Sequence, residues 1–240
     1  MTSETKEASE VLKQRAYYAA TAERYDQMHG EEREDSLSFP FFFAAVDHLE
    51  IKSILDVGSG TGVAVRKIKM KQAGIMAVGV EPSAELRKIG QARGLSESEL
   101  VDGDATSLQF EDRSFDLVCE FAVLHHIPEP SRAIAEMLRV ARKAVFISDC
   151  NSFGQGSGLS RFLKQSIRAL GLWPMANYIK TKGKGYTISE GDGLAYSYSV
   201  FDDYKQISRA CKSVHLVNTG GAGPNFYRSA SHVTLLGIKK

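Results

Sequence analysis

The chain has 240 residues, 43% hydrophobic and 25% charged, which suffices for a full core and suits a single domain. Its formal net charge of +1 leaves no electrostatic footprint for nucleic acid, so none is expected as a partner. Cys119, Cys150 and Cys211 lie far apart with no zinc-ligand spacing, which argues against a disulfide framework and points to a reducing cytoplasm.

Residues 1–35 hold nine acids and five bases and do not read as a signal peptide. A helix is expected from Val11, with Tyr17, Tyr18, Ala22 and Tyr25 at helical spacing. A second is expected from near Ser38, with Pro40 in its first turn and Phe39, Phe41, Phe42 and Phe43 as core. The apolar run 39–46 is too short to cross a bilayer.

Ile51, Ile54, Leu55 and Val57 then form a buried strand that ends in Gly58, Gly60 and Gly62, ahead of a helix over 63–70. Glycines stand where a backbone must turn sharply and admit a ligand closely. The spacing is not that of a dinucleotide fold, because the third glycine comes one residue early and Val63 occupies its place. Asp56 at the strand's mouth would repel a pyrophosphate and suits a cationic group such as an amino-acid ammonium.

A second strand, 77–81, ends in Glu81, nineteen residues after Gly62 and near the spacing at which an acid grips ribose hydroxyls. Pro82 opens a helix to Arg93, and Gly94 stops it. A third strand leads into Asp102, Asp104 and Ala105. A fourth, 114–120, runs into Leu124-His125-His126-Ile127-Pro128. A helix over 131–140, capped by Ser131, precedes a fifth strand over 144–149. This alternation predicts a doubly wound parallel sheet. Asp56, Glu81, Asp104, Glu120 and Asp149 all fall at strand ends, where such sheets bind ligands.

The regularity stops after residue 150. The stretch 151–200 exceeds an ordinary connection and reads as an insertion over the site. It holds six bases and two acids. A helix over 159–170 would put Phe162, Leu163, Ile167 and Leu170 on one side and Arg161, Lys164 and Arg168 on the other. Those bases are either a solvated face or a basic cap facing a phosphate, a nucleotide-sugar or an anionic membrane surface. A glycine- and tyrosine-rich loop over 183–199, a helix over 201–210 and two strands, 213–219 and 231–238, complete the chain.

The ordered set Leu55–Gly62, Ala77–Glu81, Leu100–Ala105 and Phe115–Glu120 with Leu124–Ile127 resembles the class I S-adenosylmethionine-dependent methyltransferases of the type 11-like group. The resemblance is close over about 17–150. It implies a doubly wound seven-stranded sheet, mostly parallel, with one antiparallel C-terminal strand. It implies one domain over 1–240, with an N-terminal helical lid over 1–48 and an inserted substrate cap over 151–200.

S-adenosyl-L-methionine is the implied cofactor. Tyr17 and Tyr25 would line the lid, and Asp56 with Gly58, Gly60 and Gly62 would hold the methionine part. Glu81 would take the ribose hydroxyls, Asp104 with Ala105 the adenine, and Glu120 would close on the sulfonium end. His125 and His126 are the candidate general bases by position, ahead of Asp149 and Asp192. Adjacent histidines lack the spacing of helical metal ligands, so no metal is expected.

The expected reaction is direct methyl transfer to oxygen of a small-molecule acceptor, such as a sugar, a lipid-linked glycan or another metabolite. Transient contact with a membrane surface, and a monomer or homodimer, accompany that expectation. The alternatives are a cofactor-binding protein without catalysis and a nicotinamide-dependent oxidoreductase.

Overall fold

The computed structural model describes residues 13–14, 16–18, 20–24, 37–189, 193–221, 223 and 225–240. The strands are β1 Ser53–Val57, β2 Met76–Val80, β3 Leu100–Val101, β4 Phe115–Phe121, β5 Ala141–Cys150, β6 Tyr186–Ser189, β7 Gly193–Tyr196, β8 Cys211–Gly220 and β9 His232–Lys239. The helices are α1 Ser38–His48, α2 Val63–Lys71, α3 Ala84–Ala92, α4 Pro130–Val140, α5 Gly158–Ala169, α6 Trp173–Lys180, α7 Tyr204–Ala210 and the single turn α8 Phe226–Ser229.

Seven strands form one sheet in the order β3-β2-β1-β4-β5-β9-β8. Strands β1 to β5 pair in parallel, and β9 is antiparallel to both its neighbours. This is the seven-stranded, mostly parallel architecture expected from the sequence. The strand order reverses between β1 and β4, and such a switch point opens a crevice at the carboxyl ends of the two strands.

Every residue of β1 and β4 is buried, as strands covered on both faces must be. Alternate side chains serve two cores. Leu55, Val118, Val145 and Ile147 meet Ile134 and Met137 of α4 and Ile207 of α7. Ile54, Leu117 and Phe146 meet Phe42 and Val46 of α1 and Ile68 of α2. The aromatic run of α1 is core: Phe42 packs on Phe146 with ring centroids 5.1 Å apart, and Phe39 stacks on Phe121 at 4.7 Å. Each such burial contributes about 1.5–3 kcal/mol. The Ser38 hydroxyl at the start of α1 is tied to Ser148 of β5 at 2.8 Å and to Thr234 of β9 at 3.1 Å.

Two local expectations are corrected. Ser131 does not cap α4. The helix starts at Pro130, whose ring presets the first turn, and the Ser131 hydroxyl donates instead to Asp203 at 2.6 Å. The stretch over 183–199 is not a loop but carries the β6–β7 hairpin, where Tyr186 opposes Tyr196 and Ile188 opposes Leu194. Aromatic and β-branched cross-strand pairs favour such a ladder.

Helix α5 lies where the insertion was expected and has the two expected faces, but their burial is inverted. Lys164 donates to the carbonyls of Ser152 and Gln155, and Gln165 donates to that of Phe153. Arg168 pairs with Asp202 and lies 4.1 Å over the Phe153 ring. Leu159, Phe162 and Leu163 point to solvent. The polar side turns inward because the segment beneath it, just after β5, presents carbonyls that need donors.

Candidate active site

The turn after β1 is built on left-handed backbone, with φ of +71° at Gly58, +57° at Gly60 and +72° at Gly62. A Cβ at Gly58 would stand 2.4 Å from a Val123 methyl, and one at Gly62 would stand 2.2 Å from Leu95. Only glycine fits those two places. The Gly58 and Ser59 amides donate to the Val80 carbonyl at 2.8 and 3.0 Å, which anchors the turn to the end of β2.

Glu81 stands at that end and is buried. One carboxylate oxygen accepts from the Gly60 amide at 3.0 Å and the other from the Ser83 amide at 2.8 Å. Asp56 is 2% exposed, with the Cys119 thiol 3.8 Å from its carboxylate. Burial, then the charge of Asp56, pushes the Cys119 thiol well above its ordinary pKa. Asp104 lies past β3 and is exposed, and it accepts from the Thr106 amide and hydroxyl at 2.8 Å. Ala105 beside it is half-buried. Tyr25 and Asp192 lie outside the described residues.

Glu120 does not stand open to a ligand. It is fully buried, and its two oxygens accept from the Val123 amide at 3.0 Å and the Ser148 amide at 2.9 Å. It therefore shapes the turn that clamps Gly58. Burial, then the charge of Asp149, pushes the Glu120 carboxyl well above the usual carboxylate range. Burial alone would raise Asp149 too, but the charge and hydrogen bond of the facing His125, with the Cys150 amide and the charge of His126, together hold it below its ordinary value. The pair thus keeps its negative charge on Asp149.

The two histidines do different things. His125 Nδ1 lies 2.6 Å from Asp149 Oδ1, and both residues are buried. The Leu124 amide also donates to Asp149, at 2.8 Å, fixing the carboxylate. Sequence reading had Asp149 as a weaker base candidate; the structure makes it the partner of one. His126 Nδ1 lies 2.7 Å from the Leu194 carbonyl and 3.3 Å from Gln14 Nε2. The Leu194 amide donates to Gln14 Oε1 at 2.7 Å. His126 thus joins the N-terminal segment to the β6–β7 hairpin. Gln14 and Leu194 carry no sequence signal for this, because they meet across 180 residues.

The donor atoms of His125, Asp149 and Cys150 lie within 4.8 Å of one another. Hydrogen bonds already engage that trio: His125 with Asp149, and the Cys150 thiol with the Tyr198 carbonyl at 3.5 Å.

A glycine turn at the switch point, an acid after β2 bound to that turn, and a buried pair of His125 after β4 with Asp149 near the end of β5 all lie at the carboxyl ends of adjacent parallel strands. The family model described as "Methyltransferase domain" matches residues 55–147, the segment that carries all three except Asp149. Over residues 55–147 the chain thus matches a methyltransferase domain. The surrounding fold is that of the class I S-adenosylmethionine-dependent methyltransferases. The chain is similar in structure to a SAM-dependent methyltransferase of Thermotoga maritima, with a TM-score of 0.61 at 20% identity, over 94% of this chain and 99% of that one.

In sequence the chain is 37% identical over 98 residues to a demethylmenaquinone methyltransferase of Renibacterium salmoninarum, over 41% of this chain and 40% of that protein. It is 38% identical over 95 residues to a norajmaline N-methyltransferase of Rauvolfia serpentina, over 38% of this chain and 32% of that protein. The matches thus span well under half the length of these relatives.

The residues of the methyltransferase domain fit S-adenosylmethionine by their chemistry. Two buried carboxylates, Asp56 and Glu81, flank the glycine turn. They suit a ligand with an ammonium, a sulfonium and a ribose diol, and they disfavour a pyrophosphate.

Proposed function

We propose that this chain transfers a methyl group from S-adenosylmethionine to a hydroxyl of a small-molecule acceptor, with His125 as general base. The buried His125–Asp149 pair at 2.6 Å carries the proposal. When bound, the cofactor supplies an electrophilic methyl on sulfur. Asp56 and the turn from Gly58 to Gly62 hold its methionine end, Glu81 its ribose hydroxyls, and Asp104 with Ala105 its adenine. Glu120 supports that turn from below through the Val123 amide.

Asp149 takes the Nδ1 proton of His125 as a hydrogen bond and so directs Nε2 as the proton acceptor. His125 Nε2 would take the acceptor's hydroxyl proton as the oxygen–methyl bond replaces the sulfur–methyl bond and S-adenosylhomocysteine leaves, and Asp149 would stabilise the resulting imidazolium. The protein's remaining task is alignment, worth up to about 10 kcal/mol in well-oriented cases. The differing acceptors named for the two relatives fit a shared cofactor cleft with separate acceptor sites.

The test is methyl transfer from labelled S-adenosylmethionine to a panel of hydroxylated and amine acceptors, with S-adenosylhomocysteine binding measured by titration calorimetry. His125→Asn and Asp149→Asn should each lower kcat by about 10²–10⁴-fold. S-adenosylhomocysteine affinity should stay within about threefold, whereas Glu81→Ala should weaken it tenfold or more. Undiminished turnover in His125→Asn would remove the base from the scheme. Cofactor binding without turnover on any acceptor would leave a binding protein.

A further inference from the structure

The insertion carries the most uneven surface of the described residues. None of the residues of α5 or α6 is buried. Leu159, Phe162, Leu163, Leu170, Tyr178 and Ile179 are all more than half exposed, at 51–73%. Isolated exposed apolar residues are ordinary, but a contiguous set on two successive helices marks an interaction surface.

The charge of the same stretch is equally uneven. Residues 151–189 hold six bases and no acid, a local +6 in a chain of net +1, which leaves −5 for the rest. Lys164 and Arg168 face inward, while Lys180, Lys182 and Lys184 at the end of α6 are exposed. Burial, then the nearby charges of Lys180 and Arg161, holds Lys164 below the ordinary lysine value, so these bases lie close enough to repel one another.

We propose that the α5–α6 face docks on an anionic lipid bilayer, with its apolar side chains in the headgroup region and Lys180, Lys182 and Lys184 against the lipid charges. An anionic bilayer supplies an apolar layer and negative charge together, which this face matches on both counts. A second copy matches only the first, because two such faces meeting on a two-fold axis would bring the exposed Lys180, Lys182 and Lys184 of one copy against those of the other. Among the described residues no helix is long and apolar enough to cross a membrane, so the contact is at the surface. The insertion leaves the sheet at the end of β5, and its hairpin touches His126 through Leu194. Docking would therefore turn the catalytic end of the sheet toward the lipid.

The test is co-sedimentation of the full chain with vesicles of phosphatidylglycerol and phosphatidylcholine, against vesicles of phosphatidylcholine alone. The wild-type chain should bind the anionic vesicles about tenfold or more tightly, and less so as salt rises. The triple variant F162S/L163S/I179S should lose binding about tenfold or more while keeping the wild-type melting temperature, since those side chains are exposed. The triple variant K180S/K182S/K184S should lose the preference for anionic lipid and keep a weak residual affinity. Equal binding by F162S/L163S/I179S, or no binding of the wild type to anionic vesicles, would overturn the proposal. So would a micromolar homodimer that this same variant dissociates. The readout is binding alone, so it stands apart from the methyl-transfer scheme.

Discussion

Glu120 and Asp149 interact in the same dry region, and their neighbours separate them. Asp149 faces an imidazole and two backbone amides of the turn after β4, so it keeps its charge. Glu120 is fully buried and also faces the charge of Asp149, so it is pushed toward the neutral acid. Both acids could be placed at strand ends from the sequence. Their roles could not, because the deciding partners are 3 to 28 residues away and include backbone amides. Gly58 is the converse case, since its need for glycine was legible in the spacing and the structure supplies the reason in Val123. Gly58→Ala should cost about 1–3 kcal/mol in guanidinium unfolding, because φ is +71° and the new Cβ would clash at 2.4 Å. The same variant should weaken S-adenosylhomocysteine binding in titration calorimetry.

At the scale of elements, α5 shows how far periodicity reaches. Its two faces were readable, but which one faces solvent was set by the carbonyls of Ser152, Phe153 and Gln155 beneath it. The N-terminal segment and the β6–β7 hairpin form a second such case. Gln14 accepts from the Leu194 amide, and Lys13 donates to the Tyr186 hydroxyl at 3.2 Å. A side chain at Gly193 would strike Tyr17 at 2.6 Å. The N-terminal segment and the hairpin therefore hold one another beside His126. Gln14→Ala removes the acceptor for the Leu194 amide, a loss of about 1 kcal/mol. Hydrogen exchange over residues 193–196 should then quicken about fivefold, with exchange in β1 and β4 unchanged.

For the whole molecule, one sheet with two cores places all three thiols inside. Cys119, Cys150 and Cys211 form no disulfide and are buried, and burial raises the pKa of Cys119 and Cys211. A thiol reagent should leave the native protein nearly untouched and label three cysteines in guanidinium, with rates rising about a thousandfold or more. Rapid labelling of Cys119 in the native state would mean that the centre of the sheet opens locally.

The sequence by itself determined the strand–helix alternation, the glycine turn at the switch point, the aromatic core of α1 and the acids at the strand ends. Each is a local pattern: a period, a spacing or a backbone need met by neighbouring residues. Only the tertiary structure decided that His125 belongs with Asp149, that Glu120 supports a turn, that His126 joins the N-terminal segment to the hairpin and that α5 turns its apolar side outward. Those outcomes depend on contacts between residues 3 to 112 positions apart, or on which backbone groups lie beneath a helix. Burial and hydrogen-bond satisfaction settle them once the sheet has formed.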